Sequence, residues 1–210
     1  MIAPWLQTAI GRAFDLVDPS VEMVDFGVDI AEAMARIPRF TGHVRAGPYS
    51  VAQHCVLGAD LLFAETSRPD LAAAFLLHDA HEAYLGDIAT PIVWALDAVQ
   101  AERGAGFGMC PSAAVRILKA RLDAVIHARA GIAWPLPAET LATVKLWDAR
   151  MLITERNQLM GKPPRPWGFD GVEPIKTRGA IKVWSWPTAA GEYAIRLRRW
   201  CPQALDGARQ

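Results

Sequence analysis

The chain has 210 residues, little cysteine, no net charge, no long apolar run and no internal repeat. Each shortage removes a class of protein. Cys55, Cys110 and Cys201 are odd in number, widely spaced and free of any C-x-x-C pair, which argues against a disulfide framework and a zinc ribbon. A reduced, cytoplasmic protein is the expectation. Lys plus Arg (22) balance Asp plus Glu (22), so no global positive field recruits a nucleic-acid polymer or an anionic membrane. An anionic ligand has to be caught locally. The longest apolar stretch, near Leu71, soon meets His78 and Asp79, too early to span a bilayer. The opening MIAPWLQTAIGR lacks a basic leader and reads as an amphipathic helix with Trp5, Leu6 and Ile10 on one side, not as a signal peptide.

What is present is an ordinary globular composition, 52% hydrophobic and 21% charged, enough to bury one core in a single domain over 1–210. Helical periodicity dominates. Asp29 followed by Glu32 is a capping-box pattern opening a helix through Ile30, Ala33, Met34 and Ile37 to Pro38. Ser50 with Gln53 opens a second, whose buried face carries His54 and which ends near Glu65. Pro69 and Asp70 start a third, apolar nearly all round, that runs through His78 and Asp79 to a stop at Gly86. Residues 112–130 read as a scaffold helix, and Pro137 to Met160 as a long one with Leu141, Val144, Met151, Leu152 and Leu159 inward and Asp148 amid that stripe. KPPRPWGFDGVEP excludes helix, and a last helix covers about Thr188 to Trp200. The one strand signal is AFDLVDPSVEMVDF, a short hairpin across Asp18, Pro19 and Ser20. The expected class is all-α, a helical bundle with a short N-terminal β-hairpin.

Three separate helices thus place His54, the pair His78 and Asp79, and Asp148 where the pattern wants apolar side chains. An unpartnered aspartate is too costly to bury, whereas two imidazoles and two carboxylates around one divalent cation satisfy one another. Two nitrogen and two oxygen donors without a thiolate suit an ion with open coordination positions, and they do not choose among Mn, Co, Fe, Ni, Zn and Mg.

The strings YSVAQH, LLHDAHEAYLGDIATPI and LWDARMLITER, with GRAFDLVDP, IPRFTGH and the final WSWP helix, resemble the HD-domain metal-dependent phosphohydrolase superfamily. More narrowly they are similar to its bacterial 5'-deoxynucleotidase and phage nucleotide phosphohydrolase branch. The resemblance implies His54, His78, Asp79 and Asp148 as metal ligands, Glu82 as the catalytic carboxylate, and Asp87 as a contact to the sugar or an aid to proton transfer. It implies hydrolysis of a nucleotide, most readily a deoxynucleotide, by water activated at the ion. Such a nucleotide, as 5'-monophosphate or triphosphate, is the expected partner, and homo-oligomers are common among such proteins.

The loop Arg39, Phe40, Thr41, Gly42, His43 offers a cation, a ring, a hydroxyl and an imidazole as a nucleotide clamp, with Arg45, Lys162 or Arg165 available to a longer phosphate chain. Related nucleotidases carry Trp after the arginine where this chain has Phe40, and a small residue where it has His81. His81 could touch substrate, recruit a second ion or face solvent, with solvent the default reading, and His127, near the end of the scaffold helix, suits that end as a cation. His81–Glu82 is no zincin motif, because position 85 is Leu85. The other reading is a metal-binding, nucleotide-sensing module without turnover.

Overall fold

The computed structural model describes residues 4–103, 108–169 and 171–205. Two short strands, β1 (Trp5–Gln7) and β2 (Ala13–Asp15), pair antiparallel with Leu6 opposite Phe14. Helices follow: α1 (Ala33–Arg36), α2 (Val51–Thr66), α3 (Pro69–Leu77), α4 (Glu82–Leu85), α5 (Thr90–Glu102), α6 (Pro111–Arg129), α7 (Ala138–Leu159) and α8 (Trp186–Trp200). The fold is therefore mainly α with a short N-terminal hairpin, as the periodicity predicts.

The hairpin differs in its partner. The AFD segment pairs back onto Trp5–Gln7, not forward across Asp18–Ser20. Gly11 turns the chain at a φ of +80, which only glycine adopts freely, so the amphipathic helix expected at the start does not form. Asp15 Oδ1 accepts from the amides of Val17 and Asp18, a local turn that takes the following chain away from strand pairing. The next helix also starts earlier than its sequence signal. Asp25 caps a wide-turn segment, Phe26–Glu32, that leads into α1, while Asp29 is buried against Arg12 at 2.9 Å.

Ser50 caps α2 as expected, its hydroxyl accepting from the Gln53 amide, but the Gln53 side chain does not close the box. It reaches the 182–184 loop instead, donating to the Lys182 carbonyl at 2.7 Å and accepting from the Trp184 amide at 2.9 Å. The non-helical segment after Gly161 is thereby tied to α2. Ser185 caps α8, which starts at Trp186, two residues before the predicted start, and Ala189, Tyr193, Leu197 and Trp200 pack inward. On α7 Val144, Met151 and Leu159 are buried, while Leu152 is half-buried and Leu141, in the mostly exposed first turns, is exposed. The sequence reading assigns no helix to 90–102; α5 forms there with no buried residue.

The core is built where α2, α3, α7 and α8 meet, around Leu62, Phe75, Leu76, Leu77, Met151 and Tyr193. A Cβ at Gly58 of α2 would lie 2.1 Å from the Phe75 ring, so this glycine sets how closely α2 and α3 approach. Its carbonyl takes the Trp147 indole N–H at 2.9 Å, which draws α7 to the same point. Helices α2 and α7, and the turn that leaves α3, carry the polar residues singled out above.

Candidate metal centre

The third helix is not continuous. It breaks after Leu77, and residues 78–81 form a turn before α4. His78 caps α3 and turns its ring inward, so His78 and Asp79 are both directed at the His54 ring of α2.

The four predicted ligands converge. His54 Nε2 lies 3.4 Å from His78 Nε2 and 3.3 Å from Asp148 Oδ1, and His78 Nε2 lies 3.2 Å from Asp79 Oδ2. The cross distances, His54 to Asp79 and His78 to Asp148, are 3.8 and 3.7 Å. Each carboxylate faces both imidazoles. The other ring nitrogens are already committed. His78 Nδ1 is 2.6 Å from the Phe75 carbonyl, which can only accept, so Nδ1 carries the proton. His54 Nδ1 is 2.6 Å from Glu155 Oε1. Both rings therefore turn Nε2 to the same point among the carboxylates, where a proton on each imidazole or a shared metal ion would supply the positive charge.

Glu155 is a residue that the sequence reading did not single out. It follows Asp148 by seven positions on α7, two turns along the same stripe. Fully buried, it accepts from Tyr49 Oη at 2.7 Å and pairs with Arg39 Nε at 3.2 Å. Arg39, also buried, reaches Asp79 Oδ2 with Nη1 at 3.3 Å. Three carboxylates, Asp79, Asp148 and Glu155, thus surround one guanidinium. A dication would offset the remaining negative charge.

The titration directions agree. Burial works against charge on both imidazoles, yet the surrounding carboxylates win and hold His54 above and His78 well above the usual range. Burial likewise opposes charge on Asp79, but His78 and Arg39 hold it well below its ordinary value. The cluster demands positive charge. Burial raises the Cys55 thiol to about 11, and it lies beside His78 and Asp79, with which it could also hold an ion. The donors present fit a hard or borderline divalent ion, and the side chain of Asp148, 42% exposed, opens the cluster to solvent.

Against known proteins, no family model matches the chain. It is 32% identical over 201 residues to the uncharacterized protein RCAP_rcc00048 of Rhodobacter capsulatus, covering 91% of this chain and 93% of that protein. The two belong to one family. The chain is also 35% identical over 131 residues to the uncharacterized protein YfdR of Escherichia coli, across 62% of this chain and 59% of that protein.

Of this family member's other predicted residues, Glu82 is buried beside the cluster, with Oε1 4.0 Å from Lys119 Nζ. Burial, then the charges of Asp79 and Asp87, push its carboxyl well up. Asp87 is half-buried and raised too, chiefly by burial. Phe40 is half-buried with its ring 6.3 Å from that of Trp167, and Phe40 and Thr41 both hold positive φ (56 and 52). Such backbone strain gathers at functional loops. His43 is on the surface, as are Arg45, Lys162 and Arg165, and nothing in the geometry joins them to the centre.

The default solvent-facing reading of His81 and the helix-end cation reading of His127 are overturned. His81 is buried, its Nδ1 2.8 Å from Asp123 Oδ1. His127 is also buried, bonding the Asp123 carbonyl through Nδ1, and burial lowers its pKa, so it is no C-terminal cation. Both turn inward because α6 packs its Leu122–Ile126 stripe against the body. Arg196 by contrast lies in a surface ion pair with Asp60 at 2.6 Å, an ordinary wet helix face. Among the described residues no helix is long and apolar enough to cross a membrane.

Proposed function

We propose that the chain is a divalent-metal-dependent phosphohydrolase of HD-domain type that acts on nucleotides, deoxynucleotides above all. The observation that carries the reading is the convergence of His54, His78, Asp79 and Asp148, with both imidazoles oriented from behind by Glu155 and the Phe75 carbonyl. A dication held by these four supplies Lewis acidity: it neutralises phosphoryl charge and makes water easier to deprotonate.

The chain's own groups do the rest. Water attacks phosphorus, the bond from phosphorus to the leaving oxygen breaks, and the proton given up by the water passes to Glu82 and from there to the leaving oxygen. Burial and the charges of Asp79 and Asp87 raise that carboxyl, which makes it a stronger proton acceptor once ionised. Asp87, close enough to act on Glu82 through its charge, serves as the neighbouring proton relay or sugar contact. Arg39 holds Asp79 and Glu155 in place and brings a cation next to where phosphate would sit. An open cleft of about 410 Å³ between α5 and α6 adds Arg116, Lys119 and Lys145 with the rings of Trp94 and Trp134. Cations beside flat rings suit a nucleotide, and the volume is ordinary for small-ligand sites. A cytoplasmic homo-oligomer is part of the same proposal.

The test is phosphate release from deoxynucleoside mono- and triphosphates with Mn²⁺ or Co²⁺. Orthophosphate from the former or tripolyphosphate from the latter is expected, with loss of turnover in Glu82→Ala. No release from any nucleotide, with nucleotide binding intact, would favour the sensing module instead.

A further inference from the structure

We propose that Asp79, His81 and Glu82 form a second divalent-cation site, adjoining the first and sharing Asp79 with it. The inference rests on the metal reading above and extends it from one ion to two.

The break between α3 and α4 makes the site possible. On an uninterrupted helix residues two apart face away from each other, so Asp79 and His81 would diverge. In the 78–81 turn they do not: one ligand atom from each of Asp79, His81 and Glu82 lies within 4.8 Å of the other two. His81 and Glu82 are each only 4% exposed. His81 Nδ1 is held at 2.8 Å by Asp123 Oδ1, the carboxylate–histidine arrangement that leaves Nε2 with its lone pair. That Nε2 has no hydrogen-bond partner among the described residues, and neither has Glu82 Oε2. Buried polar atoms are nearly always partnered, and a cation held by this cluster would satisfy both of these.

The surrounding charges allow it. Asp79, Asp87, Asp123 and Glu82 face Lys119, 4.0 Å from Glu82 Oε1, and Arg39, already shared between Asp79 and Glu155. The site gives Oε2 of Glu82 to the ion and leaves Oε1, on the Lys119 side, for proton transfer. One nitrogen and two oxygen donors select Mn²⁺, Fe²⁺, Zn²⁺ or Mg²⁺ over a thiophilic ion. A carboxylate common to two ions is the element by which two-metal hydrolases hold both sides of a phosphoryl group.

The test is Mn²⁺ titration of the chelator-treated full chain by calorimetry, with elemental analysis of the saturated protein. Two ions per chain are expected in the wild type, and one in His81→Gln, with the first-site affinity changed less than threefold. In case His81→Gln fails to fold, electron paramagnetic resonance of the Mn²⁺-saturated wild type gives the same answer: a spin-coupled pair signal is expected. Saturation at one ion, with an isolated six-line Mn²⁺ signal, would overturn the second site and leave the proposed function standing. Two ions retained in folded His81→Gln would also overturn it. Failure to bind any ion would remove both.

Discussion

At the scale of the single residue, Glu155 shows how much of the proposed metal centre lies behind the side chains that face it. It accepts from the His54 ring and from Tyr49 and pairs with Arg39, so it sets the tautomer of one ligand and the position of a neighbouring cation. Glu155→Gln keeps the shape and removes the charge; Mn²⁺ affinity measured by calorimetry should fall about 10–100-fold. Affinity within twofold of wild type would mean that Glu155 only packs. Glu82→Gln should cut the rate of phosphate release by about 10²–10⁴ while the His54–Asp148 cluster keeps its ion, measured as turnover alongside metal content. The cluster of His54, His78, Asp79 and Asp148 was legible in the sequence because four polar residues stood on apolar stripes. Glu155 was not, since one more glutamate on a long helix looks the same whether it is wet or buried. His81 was misread for a related reason: its burial depends on α6, far along the chain, and no local pattern reports that packing.

At the scale of the element, periodicity located α2, α3, α6, α7 and α8 and failed where a local turn decides. The third helix breaks at His78, and nothing in its apolar pattern before that point announces the stop. Asp15 and Gly11 reroute the N-terminus in the same way, through side chain–backbone bonds and one left-handed φ. The helix α5 escaped notice because its residues bury nothing, so no core stripe was there to find. Where helices do meet, packing is tight enough to test. Gly58→Ala drives a methyl into the Phe75 ring and should cost about 1–3 kcal/mol, read as a fall in Tm. An unchanged Tm would show that α2 and α3 have slack between them.

At the scale of the whole molecule, a neutral chain concentrates negative charge at one buried place, and stability should follow the titration of that place. In metal-free protein His54 and His78 have folded pKa values above their unfolded value near 6.5. Their protonation therefore stabilises the fold fully below about pH 6.5, and that contribution is lost as pH rises through the higher folded values. Asp79, Asp148 and Glu155 are depressed, so theirs is present above about pH 4 and lost in acid. A divalent ion competes with the imidazole protons, so its binding strengthens with pH. Thermal melts should show Mn²⁺ raising Tm more at pH 8 than at pH 6; an equal or reversed increment would place the ion elsewhere.

The most direct measurement is the anomalous difference map of a crystal grown with Mn²⁺. The account predicts a peak about 2.2 Å from His54 Nε2 and His78 Nε2, bonded also to Asp79 and Asp148. A map from fully Mn²⁺-loaded protein with no peak among those four side chains would contradict it.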